Sequence, residues 1–103
     1  MKRTLMAVDP GASGGIAVVY PDGKADAWAM GDDVELCENV REFRKWANQE
    51  GSDGVAYMEL VGGYIGGPGA PGSAMFNFGD GYGYLRGLFA MAAIELHLVR
   101  PQT

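Results

Sequence analysis

Cysteine is almost missing from this chain. Cys37 is the only one, so no disulfide can close within it and no thiolate metal site can be built from it. Histidine is equally scarce: His97 stands alone, between Leu96 and Leu98, which removes any Ser/His/Asp triad and leaves a histidine satisfied within a strand. Positive charge is short. Eight Lys and Arg face 13 Asp and Glu, a formal net charge of −5. A simple nucleic-acid binder carries a basic face, so nucleic acid would have to be met through a local patch, a bound metal or segments outside residues 1–103. Long apolar runs are missing too. Met1-Lys-Arg resembles a signal sequence for three residues only, the apolar stretch behind it stops at Asp9, and nothing approaches the roughly 18 apolar residues of a membrane span. The expectation is a soluble intracellular protein with no membrane partner.

What is present is a globular composition, with a hydrophobic fraction of 48% in 103 residues, enough for one domain with one core, spanning 1–103. Glycine is abundant, at 17 residues, and it clusters, which assigns it particular backbone tasks. Residues 3–9 and 15–21 read as buried strands, and Pro21-Asp22-Gly23 as a hairpin turn leading to a third, half-wet edge strand over 24–30. Asp32 or Asp33 can cap a helix whose apolar residues Leu36, Val40, Phe43 and Ala47 recur at helical spacing, with Gly51 at its end. A strand over 54–61 follows, then a Gly- and Pro-rich loop over 62–72. A second helix runs from Ser73 to about Ile94, and a fifth strand covers 95–100. The order β-β-β-α-β-α-β gives an α/β fold with a mixed sheet, antiparallel at one edge. The first helix serves as a right-handed crossover that sets the first and fourth strands side by side.

Two lone acids stand at the ends of those two strands. Asp9 closes the first, next to the turn Pro10-Gly-Ala-Ser-Gly-Gly15, and Glu59 closes the fourth. A carboxylate at the tip of a buried strand is costly unless paired. Neighbouring strands are about 4.8 Å apart, so both acids can meet at the carboxyl end of the sheet, where open α/β folds place their sites. Two carboxylates so placed suit Mg²⁺, with Asp9 as bridging ligand and Glu59 as the second, and Mg²⁺ in such a site can activate water against a phosphodiester. The alternative is a pair of strand-end acids bonded to neighbouring turns. Gly11 and Ser13 lie in the turn, where backbone N–H groups can approach a phosphate. Tyr64 or Ile65 can stack on or wedge between bases, and Asn77 and Arg86 can reach phosphates from the second helix. Gly79, Gly83 and Gly87 recur every fourth residue and make a flat stripe, to be packed closely against the domain or a second subunit. Met75, Phe78, Tyr82, Leu85 and Phe89 supply the second helix's apolar surface.

Taken together, Ala7-Val-Asp-Pro-Gly-Ala-Ser-Gly-Gly-Ile16, Tyr57-Met-Glu-Leu-Val61, Ser73-Ala-Met-Phe-Asn-Phe-Gly79 and Val99-Arg-Pro-Gln-Thr103 resemble the RuvC-like Holliday-junction resolvases of the RNase H-like superfamily. They are similar to its phage and prophage versions. The resemblance covers nearly the whole chain. It implies an RNase H-like sheet lacking its final helix, and so a C-terminally truncated domain. It further implies a Mg²⁺-dependent endonuclease (Mn²⁺ as the substitute ion) that resolves branched DNA in a bacterial or phage-infected cytoplasm. Asp9 and Glu59 would be its catalytic metal ligands, and its partner a second copy held through the glycine-rich helix. Relatives add one or two acids on a helix after the fifth strand, which residues 1–103 do not include; Asp80 is poorly placed to replace them. Two readings remain beside it: a non-catalytic junction-binding module, and a fragment of an actin-like or sugar-kinase-like ATPase.

Overall fold

The computed structural model describes residues 3–11, 13–49, 53–60 and 72–100. Its elements are β1 (Arg3–Asp9), β2 (Gly15–Val19), β3 (Ala25–Ala29), α1 (Asp33–Gln49), β4 (Asp53–Glu59), α2 (Gly72–Met91) and β5 (Glu95–Val99). This is the expected order. The sheet runs β3-β2-β1-β4-β5, with β1 antiparallel to β2, β2 antiparallel to β3, and β4 parallel to both β1 and β5. The two acid-bearing strands are therefore the parallel neighbours that the crossover argument requires. Gly51 and the 62–71 part of the loop lie outside the described residues.

Alternation along the strands decides which side holds the core. Met6 and Val8 of β1, Ile16 and Val18 of β2, and Ala56 and Met58 of β4 join Leu36, Val40 and Phe43 of α1 and Leu85 and Phe89 of α2 in one buried cluster. Both helices thus cover the same face. Phe89 and Met6 are completely buried, and each such side chain contributes about 1.5–3 kcal/mol. The intervening positions, Ala7 and Asp9, Ala17, Tyr57 and Glu59, turn to the opposite face, on which no described helix packs.

Local chemistry fixes the helix ends. Asp32 caps α1: its carboxylate accepts from the Glu35 N–H at 2.9 Å, and Glu35 accepts from the Asp32 N–H at 3.2 Å. That reciprocal pair satisfies two N–H groups a helix start otherwise leaves open, for about 1 kcal/mol. α2 stops at Met91, earlier than the spacing predicts, because Ala92 and Ala93 turn the chain and Ala93 takes the left-handed conformation at φ 57°. The Arg44 guanidinium donates to the Ala93 carbonyl at 2.9 Å and ties α1 to that turn. The Tyr84 hydroxyl donates to the Asp33 carbonyl at 2.8 Å and ties α2 to the start of α1. Partial burial, with Asp33 nearby, raises the Tyr84 phenol above its ordinary value.

Two expectations are corrected. β3 is an edge strand, but all five of its residues are exposed, because α1 does not reach across it. The stripe of Gly79, Gly83 and Gly87 does not mediate close packing inside the domain: a Cβ added at any of the three meets nothing within 4 Å. The stripe faces outward, and the helix is held by Leu85 and Phe89 instead.

Candidate metal centre at the carboxyl ends of the central strands

The turn after β1 is set by two glycines. Gly11 adopts φ 115°, which side chains other than hydrogen resist, and its carbonyl accepts from Gly14 N–H at 3.1 Å. Gly14 passes so close to the end of β1 that a Cβ there would stand 1.9 Å from the Asp9 carbonyl oxygen. The backbone can reverse here only without a side chain at 14, and that reversal leaves Asp9 at the rim. On the neighbouring strand, the Tyr82 hydroxyl of α2 donates to the Glu59 carbonyl at 3.0 Å, and the Leu60 N–H donates to Val99 at 2.7 Å. The end of β4 is thereby held from α2 and from β5.

Asp9 and Glu59 line one open groove of about 690 Å³ on the helix-free face, with Ala7, Tyr57, Val99 and Arg100. Parallel register pairs Val8 with Met58, the residues immediately before the two acids. Both carboxylates are exposed, which corrects the expectation that burial demands a partner for them. Neither is in an ion pair among the described residues. Two hard oxygen donors that keep their water are the donor set Mg²⁺ takes when it also holds several waters and a substrate phosphate. No group of three or more Asp, Glu, His or Cys that could hold a metal occurs among the described residues.

The other sequence candidates divide by position. Gly11 and Asn77 line a second cavity of about 360 Å³, behind the turn and between the two helices, together with Phe78 and Tyr82. Those two rings stack at 6.2 Å. Ser13 is exposed in the turn. Arg86 lies in a separate groove with Gly83, Gly87 and Leu96, and it does not join Asp9 and Glu59. Tyr64 and Ile65 fall outside the described residues. His97 is satisfied, as expected: it bonds to Glu95 and stacks on Tyr57 at 5.3 Å. Arg100 was not singled out by its spacing. The signal was the parallel β5, which sets Val99 beside Glu59 and so carries the next residue to the same rim.

Among solved structures, Thermus thermophilus RuvC in complex with a Holliday junction substrate matches at a TM-score of 0.57 and 11% identity. The match covers 96% of this chain and 65% of that one. The fold is RuvC-like. A second Thermus thermophilus RuvC structure matches at a TM-score of 0.52 and 12% identity, covering 95% of this chain and 64% of that one. This chain therefore spans about 65% of the length of the RuvC chain it matches. No family model matches, and no curated protein matches. Within the RuvC-like frame, the groove that holds Asp9 and Glu59 sits where the two central parallel strands end. No described helix is long and apolar enough to cross a membrane.

Proposed function

We propose that this chain is the core of a Mg²⁺-dependent, structure-selective DNA endonuclease acting on Holliday junctions or other branched DNA. One observation carries the reading: Asp9 and Glu59 open onto a single groove at the carboxyl ends of adjacent parallel strands of a RuvC-like fold. Asp9 and Glu59 would hold Mg²⁺, or Mn²⁺ in its place. Bound there, the ion supplies a water of lowered pKa and neutralises charge on the leaving oxygen. Arg100, on the same rim, is placed to pair with a phosphate and to offset the repulsion that two carboxylates exert on DNA. Tyr82 positions Glu59 by holding its carbonyl, and the Gly11–Gly14 turn positions Asp9. Backbone groups at Gly11 and Ser13 and the side chain of Asn77 extend the substrate contacts, with Tyr64 or Ile65 stacking on or wedging between bases; Arg86, in its separate groove, is left out of them. A second copy docks through the outward glycine stripe of α2, which is flanked by the exposed Phe76.

The test is cleavage of a labelled four-way junction with Mg²⁺ or Mn²⁺. A metal ion is worth several kcal/mol at the transition state, so Asp9→Asn and Glu59→Gln should each slow cleavage by roughly a thousandfold while leaving the circular dichroism unchanged. Undiminished cleavage by either variant sinks the mechanism. Among the described residues no third acid joins Asp9 and Glu59 in a metal-holding group, which favours a second reading, a module that binds junctions without cutting them. Tight binding without cleavage by the unaltered chain would select it.

A further inference from the structure

The far edge of the sheet carries a second candidate site, which shares Trp28 alone with the groove of the two acids. α1 stops short of covering β3, and a groove of about 230 Å³ remains between them. Its walls are aromatic: Tyr20, Trp28 and Trp46 stand around it, with the buried Phe43 as its floor. The Tyr20 and Trp46 rings meet at 4.5 Å with a tilt of 50°. Both tryptophans stay partly open to water, at 41% and 37% exposure. The only charged side chain lining the groove is Glu42, and among the described residues it forms no ion pair. Beyond Tyr20 and Trp46 the surface continues into Asp22 and Asp26, with Lys24 as the single base. Asp26 accepts from the Tyr20 hydroxyl at 2.9 Å, which fixes that ring.

Ring faces beside an uncompensated carboxylate select for an organic cation. An anion is repelled by Glu42, and a neutral apolar group would strip water from it without return. A guanidinium stacks on aromatic rings and pairs in a plane with a carboxylate, which an ammonium does less well. The backbone adds a separate indication. Among the described residues β3 pairs with β2 on one side only, so its outer N–H and C=O groups can form a ladder with another extended segment. Trp28 lies on β3 itself.

We propose that this edge docks an extended basic segment of a partner protein, which adds to β3 and seats one arginine side chain between Trp28, Trp46 and Glu42. The proposal is independent of the DNA reading. The chain's two tryptophans are Trp28 and Trp46, so intrinsic fluorescence reports on this groove. The probes are an acetylated, amidated pentapeptide with a central arginine, its citrulline counterpart, a version N-methylated at alternate amides, and free arginine amide. A saturable fluorescence change is expected with the arginine peptide. Binding should be roughly tenfold weaker for the citrulline peptide and for the Glu42→Gln protein, which loses only a charge on an exposed helix face. The N-methylated peptide should also bind more weakly. Equal binding of the citrulline peptide, undiminished binding by Glu42→Gln, or no saturable change with the arginine peptide overturns the cation site. Free arginine amide binding as tightly as the peptide, or indifference to N-methylation, overturns the strand-addition docking.

Discussion

Gly14 does more for the candidate site than any residue except the acids. Its Cα path runs under the Asp9 carbonyl, and a methyl group there would have to displace backbone, not a flexible side chain. Gly14→Ala should therefore cost about 1–3 kcal/mol, measurable as a lower urea midpoint, and should depress cleavage further than its stability loss accounts for, because Asp9 moves with the turn. A neutral effect on both would mean that the turn does not position Asp9. At this scale the sequence was informative about which residues matter and poor about their surroundings. Asp9 and Glu59 stand out as lone acids ending apolar runs, and they do share one groove. Their exposure was hidden, since alternation assigns a residue to a face of the sheet and cannot say whether anything covers that face. Arg100 was hidden for a related reason: its place depends on β5 lying parallel beside β4, a tertiary fact.

Among the elements, α1 was legible and α2 was only partly so. Leu36, Val40, Phe43 and Ala47 mark one stripe on α1, and all four are buried. α2 is apolar on most sides, with Phe76 at 72% and Met91 at 88% exposure, so no periodicity in it could say which face the glycines take. Their outward position yields a discriminating measurement. Gly83→Ala in a solvent-facing helix should stabilise the chain by about 1 kcal/mol, because alanine is the better helix former and meets no neighbour. If a second copy packs on the stripe, the same change should shift sedimentation toward the monomer at micromolar concentration. A gain in stability with unchanged sedimentation would remove the α2-mediated dimer from the proposal.

For the molecule as a whole, one linkage between charge and stability is visible. The hydrogen bond from His97, with Arg3 nearby, holds the Glu95 carboxyl below its ordinary value of 4.5. A depressed folded-state pKa contributes stability that is fully present above the ordinary glutamate range and is lost as pH falls through the lowered value. The urea midpoint of the chain should exceed that of a Glu95→Gln variant at neutral pH, by a small amount because the pair is at the surface, and the gap should close in acid. A gap that widens in acid would contradict the assignment.

β1 and β4 are the two strands with a strand neighbour on both sides among those that end at the groove. Their amides open only when the sheet itself opens, whereas those of β3 and β5 sit at its margins. Hydrogen–deuterium exchange should thus be slowest at Ala7, Val8 and Tyr57 and much faster across Ala25–Ala29. The rim carrying Asp9 and Glu59 is then anchored in the last part of the protein to let go, so a partly unravelled molecule still holds the two acid-bearing strand ends side by side.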